Sequence, residues 1–186
     1  QKNKPHGGLI DGTSRVKLNG EEISVMSFLG NMAEACVVPE ACVVSIDKSY
    51  DFKAAALVGC GVTTGVGAAL KTAEVKPGST VAVFGCGGVG LNVIQGARIA
   101  GASKIIAVDL SREKMEIART FGATDVINPD NDAFKEVLGL TNGIGVDYAF
   151  EVVGNGRLVE ACFKSARANG MAVLVGVGRA DDKFSL

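Results

Sequence analysis

From Thr80 onward, short apolar runs alternate with segments whose apolar residues recur at helical spacing. The runs are rich in Val, Ile and Ala and cover residues 81–84, 104–109, 125–127, 146–150 and 171–175. Strands that alternate with helices at this close spacing are typical of βαβ units, which build a parallel sheet. The pattern therefore predicts an α/β protein whose five parallel strands form a doubly wound sheet.

The predicted helices lie between these runs. Apolar residues recur at every fourth position from Val89 to Ala97, which gives one apolar helix face. Ser111 is suited to cap a second helix, and Gly122 is suited to end it. A third helical stretch covers residues 155–170, where an Asn-Gly pair stands at each end.

The first seventy residues have a different pattern. Residues 37–39 and 42–46 predict strands, and a helical segment interrupted by glycines follows them. We therefore expect residues 1–70 to be part of a separate β-rich domain with connecting helices. Residues 71–186 are expected to form the α/β domain.

Composition limits the class of protein. Of the 186 residues, 47% are hydrophobic and 21% are charged, and the net charge of −1 offers no basic surface for nucleic acid. Two uncharged stretches, 54–70 and 81–97, contain polar residues and fall short of the roughly 20 apolar residues that a membrane span needs. We expect both stretches to be buried core of a soluble globular protein.

The five cysteines are an odd number without a Cys-x-x-Cys pair, so they predict neither a disulfide framework nor a four-Cys zinc site. This usage fits a reducing, cytoplasmic environment. Cys36, Cys42 and Cys162 lie in apolar runs and are expected in the core. Cys86 is expected to contribute only its backbone, and His6 is expected in an exposed loop.

Residues 85–90 read Gly-Cys-Gly-Gly-Val-Gly, the G-x-G-x-x-G pattern of a dinucleotide-binding loop. The loop follows a predicted strand, opens a predicted helix and precedes Asp109 at the end of the next strand. Gly85 permits a tight turn, Gly87 lets backbone N–H groups approach a pyrophosphate, and Gly90 lets the helix pack on the strand. Asp109 is suited to accept two ribose hydroxyls, which favours NAD over NADP. Methyltransferases and FAD enzymes carry similar loops and stay as alternatives on this motif alone.

A second candidate site is Gly59-Cys60-Gly61. A Cys between two glycines can present its thiolate to a metal ion or a ligand. The alternative is a small residue buried in the core. From the residues alone, both interpretations stay open.

Further motifs occur in order along the chain: Asp11-Gly-Thr-Ser-Arg15, Phe28-Leu-Gly30, Thr64-Gly65, Phe121-Gly-Ala123, Glu151-Val-Val-Gly154 and Val175-Gly-Val177. Together with the glycine-rich loop, Cys60 and Asp109, they resemble the zinc-dependent medium-chain alcohol dehydrogenases. The resemblance covers essentially the whole chain.

This resemblance implies a Rossmann-type NAD-binding domain over 71–186, preceded by part of a GroES-like catalytic domain. In that family a catalytic zinc is bound by Cys, His and Cys, and Cys60 matches the last of these ligands. The reactants would be NAD and an alcohol or a thiol-formaldehyde adduct, in a homodimer or homotetramer. The residues that the resemblance assigns to the cofactor are Gly85, Gly87, Gly88, Val89 and Gly90 in the loop, Asp109 and Lys114 at the adenosine ribose, Thr64 and Val89 beside the nicotinamide, and Val152, Val175 and Val177 at strand ends.

The resemblance also has gaps. Nothing in the chain corresponds to the family's first Cys ligand, its Gly-His-Glu segment, its proton relay or its four-Cys structural-zinc lobe. We therefore expect the chain to be the middle portion of such an enzyme, without the last strand of the sheet. Two alternatives stay open: a zinc-free reductase of the same fold, in which Cys60 only packs, and a non-enzymatic NAD-binding module.

Overall fold

The computed structural model describes Ser14 and residues 16–23, 34–129 and 132–185. The chain divides into two compact units, Gln1–Tyr50 and Asp51–Leu186. His6 and most of the motif residues before position 31 lie outside the described residues. The assignment of the first seventy residues to a GroES-like domain stays a prediction.

The first unit contains a small antiparallel hairpin, β1 (Lys17–Leu18) and β2 (Glu21–Glu22). Its turn residues, Asn19 and Gly20, both have positive φ (53° and 86°), which is the geometry that two-residue hairpins prefer. A short 3-10 turn follows at Glu40–Cys42.

The strands predicted at 37–39 and 42–46 are wrong. Both segments are irregular or 3-10 and largely exposed, and neither pairs with a strand among the described residues. A run of β-branched residues does not form a strand by itself, because the backbone of a strand needs a paired neighbour. Cys36 and Cys42, predicted in the core, are exposed in these uncovered segments.

The second unit alternates strands and helices. In chain order its elements are α1 (Phe52–Leu57), a π-helical turn (Val58–Val62), α2 (Thr63–Gly67), a second π-helical turn (Ala68–Thr72), β3 (Thr80–Phe84), α3 (Gly88–Ile99), β4 (Lys104–Val108), α4 (Arg112–Phe121), β5 (Asp125–Ile127), α5 (Ala133–Leu140), β6 (Val146–Glu151), α6 (Gly156–Ser165) and β7 (Ala166–Leu174).

The predicted strands of this unit are confirmed, and they form one parallel sheet in the order β5-β4-β3-β6-β7. The helix α5 was not predicted, although Asp132 caps it by accepting a backbone N–H of its first turn. The helix α6 is shorter than predicted, because the chain enters β7 at Ala166. There β7 bulges: its pairing moves from Ala166 to Met171 while β6 advances only from Val146 to Tyr148.

Side chains of β3 alternate between two cores, as the twofold period of a strand requires. Val81 and Val83 pack with α3 and α4, whereas Ala82 and Phe84 pack with α5 and α6. All four are fully buried, and burying a Val or Phe side chain contributes about 1.5–3 kcal/mol. Cys162 lies in the second core, as predicted. The central strand is therefore covered on both faces.

The helical segment before β3 continues through its predicted interruption. Asp51 caps α1 by accepting the N–H groups of Lys53 (2.8 Å) and Ala54 (3.1 Å). Residues 58–62 then form a π-helical turn that leads directly into α2, so the break predicted at Gly59-Cys60-Gly61 is wrong. A π turn accommodates one additional residue without ending the helix, and glycine in a helix costs only about 1 kcal/mol.

Small residues let α2 and the turn after it cross α3 closely. A Cβ on Gly65 would lie 2.5 Å from both the carbonyl oxygen of Val89 and the Cβ of Asn92. A Cβ on Gly96 would lie 2.8 Å from the Cβ of Ala69. The crossing therefore depends on residues without bulk on both sides.

Away from this crossing, the segment Phe52–Thr72 is largely exposed, and its buried residues are Gly65, Ala68 and Ala69. The expectation that 54–70 is buried core is therefore wrong for most of that stretch, because the described residues cover one face of it. By length and composition alone this 21-residue segment would allow a membrane crossing, a test that core helices of soluble proteins also pass. The other uncharged stretch, 81–97, is mostly buried, as expected.

The chain changes direction across the sheet after β5. From β3 it proceeds through β4 to β5 at one edge and then places β6 on the other side of β3. In doubly wound sheets, a crevice opens beyond the carboxyl ends of the strands at such a switch point. The loops that follow β3 and β6 meet there.

A polar cluster ties the amino ends of β3 and β6 to the start of β7. The Asp147 carboxylate accepts hydrogen bonds from the Thr80 N–H (2.7 Å), the Thr80 hydroxyl (2.9 Å) and the Arg167 guanidinium (2.7 Å). Burial opposes ionisation of Asp147, but these donors outweigh it and hold the pKa of the carboxyl below its usual 3.8. The cluster therefore stabilises the fold only while Asp147 is ionised.

We expect Asp147→Asn to lower the free energy of unfolding by about 1–3 kcal/mol at pH 7, because it removes charge-assisted hydrogen bonds. Since the folded-state pKa is depressed, the stabilisation is present above the unfolded pKa and is lost as pH falls through the folded one. Urea unfolding at pH 7 and at about pH 3 measures both effects. The control is Asp181→Asn, which breaks an exposed pair with Arg179 and should cost well under 1 kcal/mol. Equal costs for the two variants at pH 7 would contradict the prediction.

Candidate nucleotide site

Two glycines hold the turn between β3 and α3 close to its neighbours. Gly85 has a φ of 106°, and a Cβ there would lie 2.5 Å from the Cγ2 atom of Val153. A Cβ on Gly90 would collide with the carbonyl oxygen of Gly85. The Gly85 N–H donates to the carbonyl of Val108 at the end of β4 (2.8 Å). These contacts give Gly85 the tight turn, and Gly90 the close helix packing, that the motif predicts.

The middle of this loop is open. Among the described residues, a Cβ on Gly87 or Gly88 would have no atom within 4 Å. The helix α3 begins there, and no described side chain caps its first N–H groups. The positive end of a helix dipole and backbone N–H groups favour an anion. The loop therefore offers both the space and the polarity that a pyrophosphate needs.

Asp109 fastens this loop to the end of β4. One carboxylate oxygen accepts the Cys86 N–H (2.8 Å), and the other accepts the Ser111 N–H (2.8 Å). An ionised carboxylate has about four acceptor positions, and the described residues use two of those on Asp109. The anchoring role was not predicted, because hydrogen bonds to backbone leave no mark in the sequence.

A cavity of about 720 Å³ opens at the carboxyl ends of β3, β4 and β6. Of the residues predicted to bind the cofactor, Gly85, Asp109 and Lys114 line it. Sequence reasoning missed several other lining residues, among them Leu110, Val153, Asn155 and Arg157. Leu110 directly follows Asp109, and this adjacency is the one signal that could have identified it.

Leu110 and Val153 give the cavity two apolar walls. Leu110 is 75% exposed and Val153 is 53% exposed, although both belong to residue types that are usually buried. A flat apolar group placed against them would remove this surface from water, at roughly 25 cal/mol per Å². Their exposure suits the binding of a heterocyclic base.

Charges of both signs line the cavity. Asp109 and Asp132 contribute carboxylates, and Lys114 and Arg157 contribute cations. The pKa of Asp132 is lowered, chiefly by the hydrogen bond that its side chain accepts from Lys135. The cavity thus combines acceptors for hydroxyl groups with cations for phosphate oxygens.

The thiol of Cys86 takes no part in this chemistry. Burial, and then the charge of Asp109, raise its pKa to about 12. The thiol donates weakly to the carbonyl oxygen of Val108 (3.8 Å). It stays protonated at neutral pH, which agrees with the expectation that only the Cys86 backbone matters.

The other residues predicted to contact the cofactor fall into two groups. Thr64 and Val89 adjoin the close crossing of α2 and α3. Val152 and Val175 directly follow β6 and β7 at the same edge of the sheet, and Val177 is exposed nearby in the chain. None of these residues lines the cavity, and their contacts with a cofactor stay predictions.

Cys60 lies in the π-helical turn and is exposed, with open space around Gly59 and Gly61. Over the described residues 14, 16–23, 34–129 and 132–185, no group of three His, Cys, Asp or Glu side chains is assembled that could hold a metal ion. A catalytic zinc needs three protein ligands. The described donor set therefore does not fit such a site, and a zinc role for Cys60 stays a prediction.

Comparison with protein families matches residues 88–186 to the model of the zinc-binding dehydrogenases. An S-(hydroxymethyl)glutathione dehydrogenase from Saccharomyces cerevisiae is 44% identical over 190 residues, which cover 96% of this chain and 48% of that protein. A protein of the same name from Escherichia coli O1:K1 is 42% identical, with 96% of this chain and 49% of that protein covered. The chain spans about half the length of the curated relatives it matches.

Solved structures give the same result. An alcohol dehydrogenase zinc-binding domain protein from Burkholderia ambifaria superposes with a TM-score of 0.71 and 34% identity, over 75% of this chain and 38% of that one. Benzyl alcohol dehydrogenase from Acinetobacter calcoaceticus superposes with a TM-score of 0.71 and 31% identity, over 77% of this chain and 40% of that one. These likenesses confirm the Rossmann-type α/β fold.

We expect Gly90→Ala to destabilise the chain by about 1–3 kcal/mol, because its Cβ collides with the carbonyl oxygen of Gly85 and the loop has to move. The control is Gly139→Ala in α5, where a Cβ meets no atom within 4 Å. This variant should gain about 0.5–1 kcal/mol from helix propensity. Thermal and urea unfolding measure both changes, and a stable Gly90→Ala would show that the turn is looser than described.

Proposed function

This chain belongs to the zinc-binding dehydrogenase family, and we propose that it forms the NAD-binding part of an alcohol dehydrogenase. One observation carries the proposal: Asp109 is hydrogen-bonded to the glycine-rich loop at the mouth of a cavity at the switch point of the sheet. That arrangement places a hydroxyl acceptor beside an anion-binding helix end, which are the two features that an adenosine diphosphate needs.

The residues that would hold NAD follow from this arrangement. The open backbone of Gly87 and Gly88 would receive the pyrophosphate. Asp109 would use its two remaining acceptor positions for the hydroxyls of the adenosine ribose. The adenine would cover Leu110 and Val153, whose exposed side chains line the cavity.

The same carboxylate supports a preference for NAD over NADP. A 2′-phosphate would have to lie next to Asp109, and two unit charges about 4 Å apart repel by about 4 kcal/mol at an effective dielectric of about 20. Lys114 and Arg157 oppose this effect, but both are exposed, and an exposed cation contributes less than about 1 kcal/mol. The repulsion is therefore the larger effect.

The chemistry that NAD supplies when bound is acceptance of a hydride from an alcohol carbon. This chain contributes the binding and orientation of the dinucleotide, through the loop, Asp109 and the strand ends after β6 and β7. In a full-length enzyme, Cys60 would add one thiolate to a zinc site whose other ligands the described residues do not include.

The substrate class is also part of the proposal. The curated relatives are named S-(hydroxymethyl)glutathione dehydrogenases, which supports an alcohol or a thiol-formaldehyde adduct as the substrate. A cytoplasmic location and assembly as a homodimer or homotetramer belong to the same proposal and are supported by the family resemblance.

We expect the 186-residue chain to bind NAD at least about tenfold more tightly than NADP, since about 1.4 kcal/mol of the repulsion is enough for that ratio. Asp109→Ser should narrow the ratio, because it removes the charge and one or both ribose hydrogen bonds. Calorimetric titration with both dinucleotides measures this. Asp125→Asn, at the amino end of β5, is the matched control for loss of one carboxylate. Equal affinities of the unchanged chain for NAD and NADP would refute the assignment.

We expect Cys60→Ala to leave the NAD affinity of the chain within about twofold, because Cys60 does not line the cavity. The unchanged chain should hold far less than one zinc per molecule, because the described residues assemble no set of three ligands. Elemental analysis after gel filtration measures the metal, and the titration above measures NAD. If the unchanged chain held one zinc per molecule and Cys60→Ala lost it, the expectation that this chain has no three-ligand zinc site would be contradicted.

A further inference from the structure

Glu151 is a buried carboxylate without an assigned role. It is the last residue of β6 and pairs with Phe84 of β3 on one side and with Leu174 of β7 on the other. It is fully buried, and no other carboxylate of the described residues is. Burying a charge is costly unless hydrogen bonds compensate it, so the position calls for a physical reason.

One oxygen of this carboxylate closes the turn that follows β6. Oε1 accepts the N–H groups of Val153 (2.9 Å) and Gly154 (2.8 Å), and more weakly that of Asn155 (3.5 Å). The N–H groups of three successive residues thus converge on one side-chain oxygen. The turn after β6 is therefore held by the side chain of the residue that directly precedes it.

The other oxygen faces the segment that follows β7. Oε2 is buried and has no hydrogen-bond partner among the described residues, and a Cβ on Gly176 would lie 2.7 Å from it. The same Cβ would collide with the N–H of Gly154. The carbonyl of Glu151 accepts the N–H groups of Val175 (2.8 Å) and Gly176 (3.0 Å). Glu151 thus contacts both segments at once.

The turn after β6 also packs directly against the glycine-rich loop. A Cβ on Gly85 would lie 2.5 Å from Val153 and 3.1 Å from Val152, and a Cβ on Gly90 would lie 3.0 Å from Val152. Because these atoms are closely packed, a displacement of the turn after β6 would also displace the glycine-rich loop.

We infer that Glu151 is a positioning residue for the nucleotide site. Its carboxylate holds the turn 152–155, and its backbone carbonyl holds residues 175 and 176 beside that turn. The turn in turn packs against the glycine-rich loop. Glu151 thereby sets where Val152 and Val175 meet the dinucleotide. The inference rests on the proposed function for the identity of the ligand, and it adds a residue that does not line the cavity.

Two variants of the 186-residue chain test the inference. Glu151→Gln keeps the size of the side chain but offers a weaker acceptor to the turn and directs an amide N–H at the main chain of Gly176. Gly176→Ala keeps Glu151 itself and adds a methyl group 2.7 Å from Oε2, which pushes the two segments apart. Each should weaken NAD binding by about tenfold or more. Glu116→Gln, on the exposed face of α4, is the control and should stay within about twofold.

The affinities are measured at a temperature where circular dichroism shows each variant to be as folded as the unchanged chain. Hydrogen exchange of the Val153, Gly154 and Val175 amides is measured on the same samples and should accelerate in Glu151→Gln. A purely structural role predicts a lower melting temperature with NAD affinity within about twofold, and that result would overturn the inference. If Glu151→Gln does not fold, Gly176→Ala decides on the same criterion. Failure of the unchanged chain to bind NAD would instead contradict the proposed function, and with it the ligand named here.

Discussion

Position 90 has no room for a side chain, because the carbonyl oxygen of Gly85 lies where a Cβ would be. This contact holds the first turn of α3 against the end of β3, and Val153 approaches Gly85 from the turn that follows the neighbouring strand β6. Three elements therefore converge on one turn at main-chain distance. These contacts hold the glycine-rich loop close to the carboxyl ends of the strands. The backbone of Gly87 therefore stays accessible, with the cavity beside it.

Two carboxylates on either side of β3 stabilise this arrangement in the same way. Asp109 follows β4 and Glu151 ends β6, and each accepts backbone N–H groups of the adjoining loops. They differ in exposure. Asp109 lines the cavity and keeps acceptor positions for a ligand, whereas Glu151 is sealed between the two strand ends. The same chemical group is therefore open to the cavity in the first case and holds only the main chain in the second.

The segments that differ from the pattern-based predictions do so for one physical reason. Val37 and Val44 lie in runs that favour strands, and the described residues provide no strand to pair with them. The glycines around Cys60 favour a helix break, yet the helix continues there through a π turn. The local conformational preferences involved are worth from a fraction of a kcal/mol to about 1 kcal/mol per residue. In each case the tertiary contacts available to the segment outweighed that preference.

The βαβ alternation, the glycine-rich loop and Asp109 follow from the amino-acid pattern alone, because they depend on residue periodicity and on positions where only glycine or an acidic residue fits. Only the folded chain shows the cavity lining at Val153 and Arg157, the backbone anchors of Asp109 and the burial of Glu151. They arise from strands that are distant in the chain and adjacent in the sheet, and β3 pairs with β6 across more than sixty intervening residues. Local pattern carries no information about such pairing, since it records what a segment prefers and not which segment lies beside it.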